Sequence, residues 1–525
     1  MDNKQTGSFY TPLSLIEYMV EYVRKRIVPH SILEPSAGDG RFAAALRSFN
    51  CPITLVEYEG HKVEELRNQY SEYCTIFNAD YLDFALNQDQ TYDLIIGNPP
   101  YISKKVLPQE QRDSSLKLLD HYNLSHDLFQ NIWVSFILGA LKNLSPNGAI
   151  FFVLPFEFLQ VQYAEKLREF LEEKFNTIEI TTFEDVVFSE IEQDVCLVYL
   201  TNEQQGKPYI KYTTLVSDTN TTTTFESVIQ RNKPLKKWSN CILNDAETEM
   251  LLKTASRFPK IKTFGEISPG IVTGANSYFI LPKDQIDALS VAENLKLSVL
   301  SKGAYVPSLL LFGTSDFESV ESPTKRTRLL NLTTADEDAF SQELKSYLKT
   351  GEKKEIHERY KCKQRKRWFD VPIIRTGEAC FFKRFHKLPK LIVNEAGVYT
   401  TDVSYNIRFN DKTNAASFVF CFYNSLTMAL CEYNGRFYAG GVGELVPSEF
   451  KDISVPYCEI SEKEIRHLDN LFRNDALYSE IIDYVDSRVL KELPDDVIVL
   501  LQQIRNRYLT RRMKLYCRED GTLGE

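Results

Sequence analysis

The four residues Asn98-Pro99-Pro100-Tyr101 form a segment suited to chemistry on an amino group. Two consecutive prolines cannot donate backbone hydrogen bonds, and the first of them keeps Asn98 out of the helical conformation. The turn is therefore stiff, and an amide oxygen and a main-chain carbonyl can accept both hydrogens of an exocyclic NH2 group. The ring of Tyr101 offers a face on which a planar base can stack. This arrangement suits methylation of an amino group on a planar ring, although an ordinary proline-stiffened loop could have the same sequence.

A glycine-rich segment and two acidic residues precede this turn. Residues 34–42, EPSAGDGRF, lie between an apolar run and a helical pattern, as a nucleotide-binding loop requires. The segment lacks the Gly-Lys-Ser/Thr of a Walker loop and the full G-x-G-x-x-G pattern, so a phosphate is not its expected ligand. Glu57, nineteen residues after Gly38, is placed to accept hydrogen bonds from both hydroxyls of a ribose. Asp80 can accept from an adenine amino group, and the ring of Tyr81 can pack on that adenine. Each residue alone fits a solvated strand end, but their succession indicates an adenosyl cofactor.

The elements that must position these residues follow an alternating pattern. Short β-rich runs and amphipathic segments alternate in the first half, which predicts an α/β domain with a mainly parallel sheet. Pro12 is predicted to begin a helix, and residues 128–144 carry apolar side chains at helical spacing that should pack against the sheet. Residues 213–224 are rich in Thr, Asn and Ser and predict a loop or an edge hairpin. The predicted strands are residues 31–34, 53–57, 75–78, 93–96, 149–154, 178–183 and 195–200.

Together these motifs resemble those of the N6-adenine DNA methyltransferases of the gamma motif order, close to the TaqI-like modification enzymes. The resemblance starts at residues 6–12, TGSFYTP, and extends to about residue 200. It implies a Rossmann-like, S-adenosylmethionine-dependent methyltransferase domain over residues 1–240. A mixed α+β target recognition domain with C-terminal helices would then occupy residues 241–525. The cofactor-binding residues implied by the resemblance are Thr11, Glu34, Ala37, Gly38, Glu57, Asp80, Tyr81, Asn98 and Pro99.

The resemblance also implies a catalytic set in which a phenylalanine stacks on the extruded base. Val187-Phe188-Ser189 resembles the late motif of the family, although the following Glu190-Ile191-Glu192 departs from the expected proline and basic residues. Phe188 could therefore be a core residue of a hairpin instead. Direct transfer in such enzymes needs no covalent intermediate, in agreement with the lack of a compelling cysteine nucleophile. The implied catalytic residues are Asn98, Pro99, Tyr101 and Phe188.

The second half of the chain contains the strongest basic segment. Residues 353–368, KKEIHERYKCKQRKRW, hold eight Lys or Arg against two Glu, with Tyr360 and Trp368 among the cations. A solvated helix face could have such a charge run, but the aromatic residues favour contact with DNA phosphates. Residues 270–276, GIVTGAN, resemble a recurring segment of the recognition domain. The predicted DNA-binding residues are Asn276, Lys361, Lys363, Arg365, Lys366, Arg367, Lys383 and Arg384.

Length and composition limit the classes to which this protein can belong. A chain of 525 residues with 43% hydrophobic residues has room for two or three domains. It has no apolar run of about 18 residues and no basic-then-apolar leader, so we expect a soluble, cytoplasmic protein. The net charge of -10 argues against indiscriminate nucleic-acid binding. The ten cysteines include no C-x-x-C pair and the histidines no metal-ligand spacing, so neither a disulfide framework nor a metal site is expected.

The predicted function is methylation of N6 of a flipped-out adenine in duplex DNA at one short sequence. Such a modification would protect host DNA from a cognate restriction endonuclease, which is expected to be a separate chain because little sequence precedes residue 6. We expect the protein itself to be a monomer. Protein-glutamine and RNA adenine methyltransferases are alternatives, and N4-cytosine methylation would more often have serine in place of Asn98. A nonenzymatic DNA-specificity subunit is the alternative from a different class.

Overall fold

The computed structural model describes residues 10–185, 187, 194–202, 207–231 and 234–513. Contacts divide these residues into two compact units. The first runs to Ala246 and includes the short piece Tyr438–Gly441, and the second comprises Glu247–Phe437 and Val442–Arg512. The roles predicted for the two halves, cofactor binding over residues 1–240 and DNA recognition over residues 241–525, stay predictions.

The first unit contains a nine-stranded sheet. Its strands are β1 Ile32–Glu34, β2 Ile53–Glu57, β3 Cys74–Asn78, β4 Tyr92–Gly97, β5 Leu144–Pro155, β6 Thr177–Phe183, β7 Val195–Thr201, β8 Tyr209–Leu215 and β9 Thr223–Gln230. They are ordered β3-β2-β1-β4-β5-β7-β6-β8-β9, and the pairs from β3 to β5 are parallel. β7 runs antiparallel between β5 and β6. The predicted α/β class with a mainly parallel sheet is therefore confirmed.

Helices pack beside this sheet. They are α1 Leu13–Arg24, α2 Arg41–Leu46, α3 Gly60–Tyr70, α4 Tyr81–Asn87, α5 Gln109–His121, α6 Trp133–Lys142 and α7 Glu165–Lys174, with 3-10 helices at Arg47–Phe49, His126–Leu128, Phe156–Leu159, Gln162–Ala164 and Trp238–Ile242. Pro12 is the N-cap of α1 and not its first helical residue, so the helix begins at Leu13, one residue later than predicted. β1, β2, β6 and β7 are buried along their whole length, and the apolar run of β7 fits a strand that is covered on both faces.

The predicted helix over residues 128–144 is shorter than expected. α6 begins only at Trp133, and Leu144 already belongs to β5. The reason lies in a pairing between the residues that follow the NPPY turn and residues 130–132. Ile132 donates its backbone N–H to Ile102 O at 3.0 Å, and an antiparallel bridge joins Ser103 to Asn131. These bonds keep residues 130–132 out of the helix and against the turn.

The Thr-rich stretch at residues 213–224 lies in an edge hairpin, one of the two predicted forms. β8 and β9 pair antiparallel and form the last two strands of the sheet. Strand propensity of the threonines and the alternating burial of β8 fit a half-exposed edge.

The second unit contains small sheets and many helices. Its strands are β10 Gly265–Pro269, β11 Ile280–Leu281, β12 Lys296–Leu300, β13 Leu311–Phe312, β14 Arg328–Leu330, β15 Ala379–Phe382, β16 Arg384–Phe385, β17 Lys390–Asn394, β18 Tyr399–Thr400, β19 Ser404–Phe409, β20 Arg436–Tyr438 and β21 Val442–Glu444. One sheet has the order β10-β19-β15-β17-β13, a second has the order β11-β14-β12-β18, and β16 pairs antiparallel with β21.

The remaining helices run from the end of the first unit to residue 513. They are α8 Asp245–Ala255, α9 Asn276–Phe279, α10 Lys283–Asp287, α11 Thr314–Val320, α12 Gln342–Lys353, α13 Tyr360–Lys363, α14 Ala415–Phe422, α15 Ser425–Asn434, α16 Pro447–Lys451, α17 Glu462–Arg473, α18 Tyr478–Val489 and α19 Asp495–Met513, with 3-10 helices at Ile261–Thr263, Glu293–Leu295, Gly303–Tyr305, Glu337–Ala339, Ile356–Glu358 and Ala439–Gly441. Among the described residues, no single helix is long and apolar enough to cross a membrane; only α14 and α15 taken together pass that test, and they are bent by 74°.

Candidate active site

A cavity of about 150 Å³ lies in the first unit where β1, β2 and β4 end. Ligands of open parallel sheets bind at this edge, beyond the carboxyl ends of the strands. The cavity is lined by Tyr10, Pro35, Ser36, Gly38, Glu57, Tyr58, Glu59, Lys62, Ala79, Asp80, Tyr81, Asn98, Pro100, Ile102, Gln111, Ile132 and Phe136. Residues from the glycine-rich segment, from both acidic positions and from the NPPY turn therefore line one cavity.

The glycine-rich segment forms a tight loop between β1 and α2. Gly38 and Gly40 have φ values of +56° and +81°, which other residues adopt only with strain. The loop is tied to β2, because Ala37 N–H donates to Val56 O at 3.1 Å and Gly38 N–H donates to Glu57 Oε2 at 2.8 Å. Without a side chain at residue 38, the backbone stays open to a ligand in the cavity.

Glu57 is held in place by the backbone around it. Its Oε2 accepts from Gly38 N–H, and its Oε1 accepts from Glu59 N–H at 2.8 Å. Each carboxylate oxygen retains a second lone pair for a ligand. This geometry is compatible with the predicted ribose contact.

Asp80 lies two residues beyond the end of β3 and caps α4. Its Oδ1 accepts from Leu82 N–H at 2.8 Å, and its Oδ2 accepts from Gln111 Nε2 at 2.5 Å. Tyr81, the predicted adenine-packing residue, is only 2% exposed, and its ring centroid lies 5.1 Å from that of Phe136. Tyr81 therefore contributes to a packed aromatic wall of the cavity rather than presenting an open stacking face.

The NPPY turn follows β4 directly. Asn98 accepts at its backbone oxygen from Ser36 Oγ at 3.1 Å, which ties the turn to the glycine-rich loop. The hydroxyl of Tyr101 lies 2.9 Å from Asn98 Oδ1 and 3.1 Å from Val153 O. Pro99 is buried, while the ring of Tyr101 is partly exposed and packs against the core. Hydrogen bonds thus hold both Asn98 and Tyr101, the two ends of a turn that its prolines already make stiff.

The electrostatic character of the site fits a cationic ligand. Glu34 is fully buried at the end of β1, and its Oε2 has no hydrogen-bond partner among the described residues. Burial, together with nearby Glu57 and Asp39, raises the pKa of Glu34 well above its ordinary value. A buried, unsatisfied carboxyl beside an open glycine loop is suited to a sulfonium compound that carries an ammonium group. The residues present thus fit S-adenosylmethionine.

The N-terminal motif is only partly described. Thr11 is buried, and its carbonyl accepts from Arg41 Nη1 at 3.1 Å, which links the motif to α2. Tyr10 lines the cavity. Residues 6–9 and Phe188 lie outside the described residues.

In the second unit, the predicted DNA-binding cations fall into two groups. Lys361, Lys363 and Lys366 are exposed. Arg365 instead donates to Thr273 O at 2.7 Å and to Val272 O at 3.2 Å.

The guanidinium group of Arg367 also binds groups of the protein itself. It forms a bidentate ion pair with Asp370, whose nearest contact is 2.8 Å, and donates to Leu332 O at 2.7 Å. Trp368 is partly buried and packs against Tyr278 and Phe279 beside a core cluster, so its ring is not an open surface group. Arg365, Arg367 and Trp368 thus contact the protein itself, and the contact of this segment with DNA stays a prediction.

The other predicted DNA-binding residues lie on exposed or partly exposed positions. Asn276 is exposed, and its Oδ1 accepts from Thr273 Oγ1 at 2.5 Å. Lys383 is half-buried, and Arg384 is exposed with its Nε 3.5 Å from Glu444 Oε2. Their contact with DNA stays a prediction.

The lining residues that the sequence analysis did not assign to the site include the polar residues Ser36, Lys62 and Gln111. Ser36 lies inside the glycine-rich segment and could have been found there. Lys62 pairs with Glu59 at 2.7 Å, a spacing of one helical turn that the sequence does show. Gln111 had no local signal, because it belongs to no motif and reaches Asp80 from a helix 31 residues further along the chain.

Comparison with known proteins gives a consistent family. The sequence-family model of the Eco57I restriction-modification methylase matches residues 41–188. The family model of the C-terminal domain of the type II methyltransferase M.Eco57I matches residues 235–490. The type II methyltransferase M.AccI of Acinetobacter calcoaceticus is 22% identical over 398 residues, which cover 70% of this chain and 69% of M.AccI. M.XamI of Xanthomonas campestris pv. amaranthicola is 20% identical over 470 residues, 87% of this chain and 86% of M.XamI.

A solved structure shares the fold. The type IIL restriction-modification enzyme MmeI, determined in complex with DNA, aligns with 95% of this chain and 75% of its own, with a TM-score of 0.57 and 12% identity. The cavity and these relatives agree on S-adenosylmethionine as the cofactor. The two family models, the relatives M.AccI and M.XamI, and the glycine loop and NPPY turn at one cavity show that the chain belongs to the gamma-class restriction-modification DNA methyltransferases.

Proposed function

We propose that this protein methylates N6 of an adenine within a short sequence of duplex DNA. The observation that supports this most strongly is the position of Asn98, which lines the same cavity as Glu57 and Asp80. An acceptor for an amino group thus lies beside the residues suited to an adenosyl cofactor. The stiff backbone of the turn brings the carbonyl of Pro99 next to the Asn98 amide as a second acceptor.

In this proposal, Asn98 Oδ1 and Pro99 O accept the two hydrogens of the adenine amino group. These bonds favour a tetrahedral nitrogen and stabilise the positive charge that develops on it during the reaction. When bound, S-adenosylmethionine supplies an electrophilic methyl group on its sulfonium. Asn98 Oδ1 and Pro99 O would hold N6 in line with that methyl group, so that N6 would accept the methyl as its bond to sulfur breaks and would then lose a proton to solvent. Positioning by the turn contributes most of the acceleration.

The target adenine must leave the double helix to reach such a cavity. Extrusion costs a few kcal/mol. Stacking on an aromatic ring recovers about 1–3 kcal/mol, and Tyr101 is a partly exposed ring beside Asn98. Phe188 would be a second stacking residue, as the sequence motif predicts.

DNA binding is assigned to the second unit. The exposed Lys361, Lys363 and Lys366 are suited to phosphate contacts, which set affinity and its salt dependence. A relative in fold, MmeI, was solved with DNA bound, which supports duplex DNA as the substrate. The methylated site would be protected from a restriction endonuclease carried on a separate chain, and both would act in the cytoplasm. We propose a monomer as the acting form.

Methyl transfer with purified protein tests this function. Duplex DNA is incubated with methyl-labelled S-adenosylmethionine and digested to nucleosides, and the label is expected in N6-methyl-2′-deoxyadenosine from one recognised sequence. Asn98→Ala should abolish transfer but retain cofactor binding. Label in N4-methylcytosine, or only in RNA or protein, would overturn the proposal. A wild-type protein that binds one DNA sequence without any transfer would favour a specificity subunit.

A further inference from the structure

Helix α5 contributes a side chain to the cavity that no motif accounts for. Gln111 lines the cavity and donates from Nε2 to Asp80 Oδ2 at 2.5 Å. The same helix is fixed to α4 by a second bond, from Ser114 Oγ to Asp83 Oδ1 at 2.5 Å. Two bonds one helical turn apart hold α5 in register with α4, so the position of Gln111 is well determined.

The bond to Asp80 also fixes which way the Gln111 amide faces. An ionised carboxylate only accepts hydrogen bonds, so the NH2 group of the amide must face Asp80 and the carbonyl must face away from it. No donor to Gln111 Oε1 occurs in the part of the chain that the structure describes. Gln111 therefore has one free acceptor next to the carboxylate that it holds.

We infer that Gln111 and Asp80 together recognise the amino group of the cofactor's adenine. Asp80 Oδ1 accepts the capping hydrogen bond of α4, and the lone pairs that remain on the carboxylate can accept one amino hydrogen. Gln111 Oε1 accepts the other. An amino group carries two hydrogens, and a pair of acceptors distinguishes it from an oxo group better than one acceptor does. This inference rests on the proposed role of Asp80 at the adenine, and it assigns Gln111 to cofactor binding.

Binding of two cofactor products tests the assignment without turnover. S-adenosylhomocysteine has the amino group, and S-inosylhomocysteine has an oxo group in its place. Calorimetry gives the dissociation constant of each, and the ratio of the two constants measures recognition of the amino group. The wild-type protein should prefer the adenosyl compound by about ten- to a hundredfold.

Gln111→Met keeps the length of the side chain and removes both hydrogen-bonding groups. It should reduce the preference about five- to tenfold, mainly by weakening the adenosyl compound. Gln109→Met is the matched control, because Gln109 lies on the same helix, is exposed and, among the described residues, has its side-chain hydrogen bond to Asp113 of its own helix. The control should keep the wild-type ratio. If Gln111→Met is poorly folded, Gln111→Asn, whose amide is too short to reach Asp80, should give the same loss.

Two outcomes would overturn the inference. One is an unchanged ratio in Gln111→Met, and the other is equal weakening of both compounds, which a purely structural role would produce. Asp80→Ala distinguishes a wrong role for Gln111 from a wrong role for Asp80 at the adenine. If Asp80→Ala lowers the ratio of the two dissociation constants and Gln111→Met leaves it unchanged, Gln111 has no role in recognising the amino group but Asp80 does. If neither variant changes the ratio, Asp80 does not recognise the adenine either.

Discussion

The hydroxyl of Tyr101 lies 2.9 Å from Asn98 Oδ1, the atom proposed to accept a hydrogen from the target amino group. The amide oxygen has two lone pairs, so it can accept from Tyr101 and from the substrate at once. Tyr101 thus has two separable parts, a ring for stacking and a hydroxyl that orients the Asn98 amide.

Tyr101→Phe tests the hydroxyl alone, because it keeps the ring. Loss of one orienting hydrogen bond should lower kcat/KM for methyl transfer about five- to tenfold, with cofactor affinity unchanged. Tyr101→Ala removes the ring as well and should cause a larger loss. The measurement is steady-state transfer to duplex DNA with the thermal midpoint recorded, since the hydroxyl also lies 3.1 Å from Val153 O. Equal rates for Tyr101→Phe and wild type at equal stability would leave the hydroxyl without a role.

Cofactor binding is expected to release a proton from Glu34. The pKa of this carboxyl is raised in the free protein by burial and by Glu57 and Asp39, so the group stays neutral at pH values above the ordinary pKa of a glutamate. A cationic ligand favours the charged form and lowers that pKa. Affinity should therefore increase as the pH rises through the interval between the bound and free pKa values, and level off above it. Calorimetry in two buffers of different ionisation enthalpy measures the protons released.

Glu34→Gln is the control for this linkage. It should abolish the proton release and flatten the pH dependence of binding. The raised pKa also means that the charged carboxylate costs the free protein stability above the unfolded-state pKa. The thermal midpoint of the cofactor-free variant should accordingly exceed that of wild type at neutral pH and match it in acid. The same proton release in both proteins would exclude Glu34 as its source.

The cations of the basic segment should separate into a binding group and a structural group. Replacing Lys361, Lys363 and Lys366 with Gln should weaken DNA binding and lower the slope of log K against log salt by about 0.9 for each lysine that contacts a phosphate. The thermal midpoint should stay unchanged because all three side chains are exposed. Filter binding or fluorescence anisotropy over a salt series measures the slope, and an unchanged slope would place this segment outside the interface.

Arg365→Gln is the matched comparison from the same segment. It removes the bonds to Thr273 O and Val272 O, so it should lower stability by about 1–3 kcal/mol. Denaturant unfolding measures that loss. A variant as stable as wild type would show that the bonds to the 270–276 loop are dispensable.

The sequence predicted the fold well where patterns are local. The strand at residues 53–57 and the helix predicted to begin near Pro12 agree with the structure because each depends on a pattern within a few residues. The start of α6 was wrong because the pairing of Ile132 with Ile102 is a long-range contact.

The site shows the same division. Gly38, Glu57 and Asn98 line one cavity as expected, since strand ends of a parallel sheet meet at one edge. Arg365 and Arg367 could not be told apart from the exposed lysines, because composition does not show which cations meet buried carbonyls. Gln111 depends on a helix packing beside α4, and no single-chain pattern encodes that.

The amide of Asn276 has a fixed orientation that limits which groups of a base it can bind. Ala275 N–H donates to Thr273 Oγ1 at 3.1 Å, so the hydroxyl proton of Thr273 is directed to Asn276 Oδ1. The Asn276 oxygen keeps one lone pair but faces Thr273, so its NH2 group is the part left to face a ligand. Such a donor matches the major-groove acceptors of guanine, adenine and thymine, and not the amino group of cytosine.

We therefore expect Asn276→Ala to relax specificity at one position of the methylated sequence, and the base contacted there should be a guanine, an adenine or a thymine. The cost of a wrong base there should fall by about 1–3 kcal/mol. Thr273→Val frees the amide to turn over, so it should allow cytosine at the same position. Mapping of methylated bases in DNA from cells expressing each variant measures both changes. Relaxation at a cytosine in Asn276→Ala would contradict the fixed orientation, and full specificity in that variant would remove Asn276 from base recognition.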